Sequence, residues 1–292
     1  MSYPSGPPQM GVEQHCYRHP DRRAGVSCQR CNRPICPSCM ISASVGFQCP
    51  ECAKHGAKQQ RLVDAWRQET VPRLTYALIG VNVAVYLVGM LSGASMSGVS
   101  GDINIDFGLY RGAVANGEWW RLITSGFLHA GVLHLAFNMF ALYSLGGFLE
   151  RVVGPVRFAL IYVASLLGGS LGIVLLAGPR SLTVGASGAI FGVFGAFAVL
   201  QLSRGMSPWA NGIGSTILLN LFITFAVPGI SIGGHLGGLA AGAGVGALLL
   251  GINPSQARER QGQLNVFGPV VGGVAVALLV AAILAANALP II

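Results

Sequence analysis

The chain has 292 residues, of which 52% are hydrophobic and only 10% carry a charge. Soluble domains carry roughly 25% charged residues, so the composition excludes an ordinary soluble protein and predicts a polytopic membrane protein. The formal net charge of +8 lies largely in the N-terminal part and in short loops. There it is more typical of membrane topology than of nucleic-acid binding.

All seven cysteines lie in the first part of the chain, between Cys16 and Cys52. With one histidine they form four knuckles with two-residue gaps: Cys16 and His19, Cys28 and Cys31, Cys36 and Cys39, and Cys49 and Cys52. Eight such ligands suffice for two tetrahedral zinc ions, with no position open for a catalytic water. His55 is a spare candidate ligand. A disulfide scaffold is the alternative, but the odd cysteine count and the cytoplasmic side predicted below argue against it.

The knuckle spacing resembles a B-box-type zinc finger. The resemblance implies a cross-braced pairing, with Cys16, His19, Cys36 and Cys39 on one ion and Cys28, Cys31, Cys49 and Cys52 on the other. We expect a disordered tail at 1–14, a zinc-binding head at 15–56 whose folding depends on the metal, and a basic linker at 57–73. The head is expected to be structural or to bind a cytoplasmic protein partner.

Seven apolar segments follow, at about 74–92, 132–149, 156–177, 187–203, 213–228, 234–252 and 266–289. Arginines in alternate loops, among them Arg151, Arg204 and Arg258, indicate the cytoplasmic side. The N-terminus is then cytoplasmic, whereas the C-terminus and the long connection at about 93–131 are external. We expect Trp120 and Arg121 to anchor this connection at the lipid headgroups.

A serine flanked by small residues opens the fourth apolar segment, in the run Gly185-Ala186-Ser187-Gly188. The small neighbours leave its hydroxyl room for a substrate carbonyl, although such a run is also typical of close helix packing. His235 begins the sixth segment on the same predicted side. Because a buried ionisable residue in a span is a functional-site hypothesis and a neutral imidazole can activate a serine, we predict a Ser187–His235 dyad. A packing histidine is the alternative.

Two helices can bring these side chains together only if their backbones nearly touch. Gly238 and Gly242 belong to a four-residue glycine repeat in the sixth segment, and Gly185 and Gly188 flank the serine. Small residues at this spacing allow close helix contact, so we assign these four glycines to helix packing near the site.

His134 and Asn138 lie four residues apart in the second segment and therefore share one helix face. Both side chains can donate hydrogen bonds, as a tetrahedral oxyanion requires, and the backbone N–H of Ser187 at a helix start is a further donor. The alternative is a polar pair that ties two helices together.

Together these motifs resemble the rhomboid intramembrane serine proteases. The resemblance covers about residues 74–252 and extends to Glu118-Trp119-Trp120-Arg121 and to Glu150. It implies an all-α six-helix bundle, here with an extra C-terminal span within 253–292. It also implies Ser187 as nucleophile, His235 as base, and His134 and Asn138 in the oxyanion hole.

The family pattern needs no acidic third member, and no Asp or Glu lies between Glu150 and Glu259. One departure is Phe191, which stands where some members have a tyrosine that stacks on the histidine. A phenylalanine can stack in the same way but has no hydroxyl.

The sequence thus predicts an endopeptidase of a bacterial plasma membrane that cleaves transmembrane protein substrates near the external face. The protein is expected to lie in the lipid bilayer. Zinc is expected only in the head, and catalysis is expected to need no cofactor. Two alternatives stay open: an inactive rhomboid-like protein that binds membrane proteins, and a membrane adapter whose partner binds the zinc head.

Overall fold

The computed structural model describes residues 14–43, 45–54, 71–93, 99–210, 212–261 and 263–290, apart from the side chain of Leu264. Residues 1–13 of the expected tail, the candidate ligand His55 and residues 57–70 of the expected linker lie outside the described residues. The chain divides into two units, Met1–Glu69 and Thr70–Ile292, and each is described by itself.

The N-terminal unit contains two short antiparallel strand pairs: β1 (Val26–Ser27) with β2 (Pro34–Ile35), and β3 (Ile41–Ser42) with β4 (Phe47–Gln48). Its buried apolar cluster consists of Ile35 and five cysteines, Cys16, Cys28, Cys36, Cys39 and Cys49. With one aliphatic side chain in that cluster, the described part of this unit lacks an ordinary hydrophobic core. Domains of this size then usually depend on metals or disulfides.

The second unit is helical. Its elements in chain order are α1 (Arg73–Leu91), α2 (Asp102–Phe107), α3 (Arg111–Ala115), α4 (Arg121–Thr124), α5 (Val132–Val153), α6 (Pro155–Leu176), α7 (Ser187–Ser203), α8 (Ile213–Ala226), α9 (Ile232–Leu250), α10 (Pro254–Arg260) and α11 (Leu264–Ala288).

Within the described residues, α1, α5, α6, α9 and α11 are long and apolar enough to cross a membrane, and α7 and α8 are shorter apolar helices. Each of the seven predicted apolar segments is therefore helical, and the prediction of an all-α polytopic membrane protein is confirmed. The second segment extends further than predicted, because the chain continues through a π turn at Leu142–Gly146 into a last helical stretch, Gly147–Val153.

The α9 helix packs along both α6 and α7, and glycines lie in both contacts. A Cβ atom added at Gly238 would overlap the backbone oxygen of Gly188, and one at Gly242 would overlap the backbone of Gly192. A larger residue at either α9 position would push the two helices apart, because these contacts are between backbone atoms.

Gly185 differs from the other glycines that the sequence groups with helix packing. It lies in the turn before α7, with φ at +133°, and its N–H donates to the backbone oxygen of Ser125 at 2.9 Å. A Cβ atom there would lie 2.7 Å from Cε1 of His134. Gly185 therefore shapes the turn that precedes Ser187 rather than a helix crossing, since glycine tolerates positive φ without steric cost.

A buried carboxylate fixes the start of α1. Glu150 is 4% exposed, and its Oε atoms accept hydrogen bonds from the backbone N–H groups of Leu74 at 3.0 Å and Thr75 at 2.7 Å, and from the Thr75 hydroxyl at 2.7 Å. A helix N-terminus has unpaired N–H groups and favours negative charge. Glu150 therefore ties α5 to the first turn of α1.

Arg121, expected from the sequence to anchor this connection at the lipid headgroups, is enclosed by the protein itself. It is only 5% exposed, and its guanidinium contacts Glu118 at 2.7 Å, the backbone oxygen of Ile105 at 2.6 Å and that of Gly108 at 2.8 Å. The guanidinium is large enough to bridge several chain segments at once. It therefore holds the connection before α5 together from inside, while Trp119 and Trp120 stay exposed.

Three further arginines join helix ends. Arg111 in α3 donates to the backbone oxygens of Val174, near the end of α6, and of Pro290, beyond α11. Arg260 donates to the backbone oxygen of Ala247, near the end of α9, at 2.6 Å, and Arg157 donates to the backbone oxygen of Arg260 at 3.2 Å. Cations at helix C-termini satisfy the free carbonyls, so these contacts gather the helix ends into two groups.

We predict that Gly242→Ala lowers the free energy of unfolding by about 1 to 3 kcal/mol, the usual cost of overpacking, because the added methyl meets the backbone of Gly192. The measurement is unfolding of the full-length protein in mixed detergent. Gly244→Ala is the matched control on the same helix, since nothing lies within 4 Å of a Cβ at that position. Equal stability of the two variants would contradict the close approach of α7 and α9.

Candidate active site

Ser187 is the first residue of α7, and His235 lies in the first turn of α9. The Ser231 hydroxyl begins α9 by accepting a hydrogen bond from the N–H of Gly234 at 3.1 Å, which is a standard N-cap. The Nε2 atom of His235 lies 2.9 Å from the Oγ atom of Ser187. The two residues singled out from the sequence are therefore within hydrogen-bonding distance, as a nucleophile and its base require.

The plane of the imidazole is held by an aromatic ring. Phe191, one turn after Ser187, stacks on His235 with ring centroids 3.9 Å apart and an interplanar angle of 14°. The stack expected at this position is present, and it comes from an apolar ring that adds no hydrogen bond.

The other imidazole nitrogen has a partner that sequence reasoning missed. The Nδ1 atom of His235 lies 2.7 Å from the hydroxyl oxygen of Thr224 in α8. Thr224 is 11 residues away along the chain, on an apolar helix, and threonine is common in such helices. The one signal in the sequence is the recurrence of polar residues at Thr216, Asn220 and Thr224, which share a helix face.

The His134 ring lies close to Gly185, in the turn that precedes Ser187. Its Nδ1 lies 3.3 Å from the backbone N–H of Ala130, which can only donate. Nδ1 is therefore the acceptor, and in the neutral ring Nε2 carries the proton. A Cβ atom built at Gly185 would lie 2.9 Å from that Nε2 and 3.7 Å from the Ser187 Oγ, so the His134 donor faces the space beside the serine.

Asn138 lines the same space, but one of its amide hydrogens is used within α5. Its Nδ2 donates to the backbone oxygen of His134 at 2.9 Å, and an amide nitrogen carries two hydrogens, so one donor remains. His129 is buried and packs edge-on against His134, with centroids 5.2 Å apart. This contact supports the position of the His134 ring.

A cavity of about 1110 Å³ opens over Ser187 and His235. Its wall is largely apolar and comes from α5, α7 and α8, with Phe137, Phe194 and Ile223 among the lining residues. Cavities of this size hold drug-sized ligands or larger, so there is room for a ligand of that size beside the serine.

The knuckle residues of the N-terminal unit form two clusters. Among the described residues, the potential metal-ligand atoms of Cys16, His19, Cys36 and Cys39, and those of Cys28, Cys31, Cys49 and Cys52, lie within 4.8 Å of one another in each set. These are the two sets implied by the B-box resemblance.

Distances within the clusters suit a tetrahedral ion. Nδ1 of His19 lies 3.9, 3.5 and 3.3 Å from the sulfur atoms of Cys16, Cys36 and Cys39, and the sulfur atoms of Cys31 and Cys49 are 3.8 Å apart. Thiolates at about 2.3 Å from a tetrahedral zinc would be about 3.8 Å from each other. The Arg33 guanidinium, which donates to the sulfur of Cys31 at 3.3 Å, lowers the pKa of that thiol and so favours the thiolate that binds metal.

Comparison with known proteins identifies the family. A model described as the rhomboid domain matches residues 116–252. The putative rhomboid protease YdcA of Bacillus subtilis (strain 168) is 38% identical over 136 residues, which cover 46% of this chain and 68% of that protein. The chain belongs to the rhomboid family.

Two further rhomboid relatives match over a smaller share of their length. Rhomboid protease GluP of the same bacterium is 37% identical over 190 residues, or 63% of this chain and 36% of that protein. RHOMBOID-like protein 6, mitochondrial, of Arabidopsis thaliana is 36% identical over 149 residues, or 48% of this chain and 47% of that protein. The chain therefore spans between about a third and two thirds of the length of these three relatives.

The rhomboid match contains His134, Asn138, Ser187 and His235 and ends directly after α9. The two cysteine clusters, α1 and α11 lie outside it. The cysteine clusters and the seventh apolar helix thus belong to parts of this rhomboid protein that the domain match does not cover.

Proposed function

We propose that this rhomboid protein is an intramembrane serine endopeptidase that cleaves transmembrane segments of other membrane proteins near the external face. The observation that carries the proposal is the 2.9 Å separation of Ser187 Oγ and His235 Nε2, beneath a cavity with apolar walls. An intact serine–imidazole contact weighs against a proteolytically inactive binder. The rhomboid match and the protease names of the bacterial relatives support the same class of activity.

The Ser187 hydroxyl attacks the peptide carbonyl while His235 Nε2 takes its proton. As the C–N bond breaks, the imidazolium gives this proton to the leaving amine, and the acyl chain stays on the serine. A water molecule then attacks the ester with His235 again as base, and the released serine regains a proton. Each step moves one proton through the same nitrogen, so a dyad suffices.

The oxyanion of each tetrahedral intermediate needs donors beside the serine. We assign this role to the backbone N–H of Ser187, the Nε2–H of His134 and the free amide hydrogen of Asn138. The N-terminal position of Ser187 in α7 supports the first donor, because N–H groups in the first helical turn have no partner within the helix. The orientation of His134 toward Gly185 supports the second.

The substrate is a membrane-embedded segment that must unwind, because a helix hides its peptide carbonyls in hydrogen bonds. Small or helix-weakening residues near the cleaved bond would lower the cost of unwinding. The apolar wall of the cavity suits side chains that come from the bilayer.

We infer an N-terminus in the cytoplasm and an external C-terminus, in a bacterial plasma membrane. The Arg111 contacts to the ends of α6 and α11 support one common side for these ends and the connection before α5. The arginine-rich loops support the opposite side as cytoplasmic. A cytoplasmic reading from a reporter fused after Ile292 would overturn this orientation.

Ser187→Ala and His235→Ala should each reduce cleavage of a model transmembrane substrate by a factor on the order of 10⁴ or more, as in serine proteases whose nucleophile or base is removed. The measurement is cleavage by the purified full-length protein in detergent or liposomes. Ser181→Ala is the matched control, because this exposed serine lies in the loop before α7 and should retain full activity. Undiminished cleavage by Ser187→Ala would exclude the dyad.

Asn138→Ala should lower kcat by up to about a hundredfold, the lower end of the usual loss for one oxyanion donor, with little change in KM. His134→Ala should act in the same direction. The test compares steady-state kinetics of both variants with the parent protein. If turnover is unchanged in both, the pair belongs to helix packing instead.

We further propose that the cysteine clusters hold two structural zinc ions. The two four-residue sets and their interatomic distances support tetrahedral sites with no open position. When bound, zinc would supply the folding free energy that the described core of this unit lacks. We expect the zinc head to bind a protein partner on the cytoplasmic side. Such an adapter function can coexist with proteolysis.

Metal analysis of the full-length protein under reducing conditions should give two zinc ions per chain. Cys28→Ser should lower the zinc content and unfold the head locally, whereas Ser27→Ala, its neighbour outside the ligand set, should not. A chain beginning near Arg61 should still cleave an unregulated substrate, since the residues assigned to catalysis all follow it. Absence of zinc would contradict the metal assignment. An inactive truncated chain would show that proteolysis requires the head.

A further inference from the structure

Thr224 is the residue of α8 that forms a hydrogen bond with His235. Along this helix the exposed face is large and apolar, with Leu218, Leu219 and Phe222 more than half exposed. The buried residues of α8 are only Ile213, Gly214 and Thr224. The Thr224 residue is 1% exposed, and its hydroxyl oxygen lies 2.7 Å from Nδ1 of His235.

The hydrogen-bond partners of Thr224 fix the direction of its proton. Its Oγ1 is 2.7 Å from the backbone oxygen of Asn220 and 2.7 Å from Nδ1 of His235. A carbonyl oxygen can only accept, and a hydroxyl has one hydrogen, so the Thr224 hydroxyl donates to Asn220. Its lone pairs are then the acceptor for a proton on His235 Nδ1.

The opposite assignment leaves a polar contact without a proton. If Thr224 donated to Nδ1, its oxygen would lie 2.7 Å from the Asn220 carbonyl oxygen with no hydrogen between them. Nε2 would then carry the ring proton and could not accept the proton of Ser187. Of the two arrangements, only the first satisfies every atom in this chain of contacts.

We propose that Thr224 is a positioning residue that holds His235 as the Nδ1–H tautomer, with Nε2 free to accept the Ser187 proton. The inference deepens the proposed proteolytic function and rests on it. The chain of bonds runs from Ser187 Oγ–H to His235 Nε2, and from His235 Nδ1–H through Thr224 to Asn220. When Nε2 becomes protonated, the Thr224 oxygen still accepts from Nδ1 and stabilises the imidazolium.

A hydroxyl here does the orienting work that a carboxylate does in a catalytic triad. The sequence between Glu150 and Glu259 contains no acidic residue, and no carboxylate contacts His235 within the described part of the chain. A neutral partner orients the ring without placing a charge among apolar helices, where charges are costly.

The test is the rate at which a fluorophosphonate probe labels Ser187 in the full-length protein, together with kcat and KM for a transmembrane substrate. Labelling forms the Ser187 O–P bond and expels fluoride, while His235 takes the serine proton, so the rate reports the base directly. Thr224→Val keeps the shape and removes the acceptor. It should lower the labelling rate and kcat by about tenfold and leave KM unchanged.

Two matched variants separate orientation from helix structure. Thr224→Ser restores the hydroxyl and should restore the labelling rate. Thr216→Val removes the hydroxyl that makes the same bond two turns earlier, to the Gly212 oxygen at 2.9 Å, and should label at the parent rate. Parent-like labelling of Thr224→Val, or a loss of rate in Thr224→Ser equal to that in Thr224→Val, would overturn the proposal.

A spectroscopic test needs no variant at Thr224. In protein labelled with ¹⁵N-histidine, the His235 signals, assigned by their absence in His235→Ala, should show a protonated Nδ1 and an unprotonated Nε2 at neutral pH. A protonated Nε2 would overturn the inference. If Ser187→Ala is still labelled by the probe, the proposed function itself fails, whereas normal proteolysis with an unaffected Thr224→Val rejects only the role of Thr224.

Discussion

The approach of α9 to α7 through bare backbone is the constraint on which the site depends. Ser187 is the first residue of α7, and His235 lies in the first turn of α9. Their side chains are too short to bridge two widely separated helices. A separation of 2.9 Å between Oγ and Nε2 is possible only if the helix axes come very close, and the contacts between Gly238 and Gly188 and between Gly242 and Gly192 allow this. In a membrane, where burial of apolar surface does not drive helices together, such close packing is itself a source of stability.

The side chains that contact His235 are neutral. The imidazole is stacked by Phe191, contacted by Thr224 and faced by Ser187, and none of these carries a charge. A buried carboxylate beside His235 would need further donors to offset its desolvation. In the proposed arrangement, Thr224 donates its hydrogen bond to the Asn220 carbonyl and provides His235 with a neutral acceptor at lower cost.

Charged residues serve the frame instead. Glu150 accepts from the first N–H groups of α1, Arg121 joins the segments before α5, and Arg111 joins the ends of α6 and α11. Each charge lies where helix or loop ends leave polar backbone groups without partners, as expected from the polarity of helix termini. These contacts hold the surrounding helices, while the glycine crossing of α7 and α9 allows Ser187 and His235 to approach each other.

The sequence by itself predicted the all-α polytopic class and the seven apolar segments, and it singled out Ser187, His235, His134 and Asn138 as candidate site residues, because a membrane span and a polar residue within it both leave strong local signals. The resemblance to a B-box-type zinc finger implied the two sets of four knuckle residues that lie together in the structure. The sequence could not identify Thr224 as the partner of His235, and it did not predict the burial of Arg121 or the role of Gly185 in the turn before α7. Those roles depend on which atoms of different helices and loops come into contact, such as the Thr224 hydroxyl on α8 and the His235 imidazole on α9 at 2.7 Å. Only the tertiary structure decides these contacts, because they join elements whose packing the local sequence does not specify.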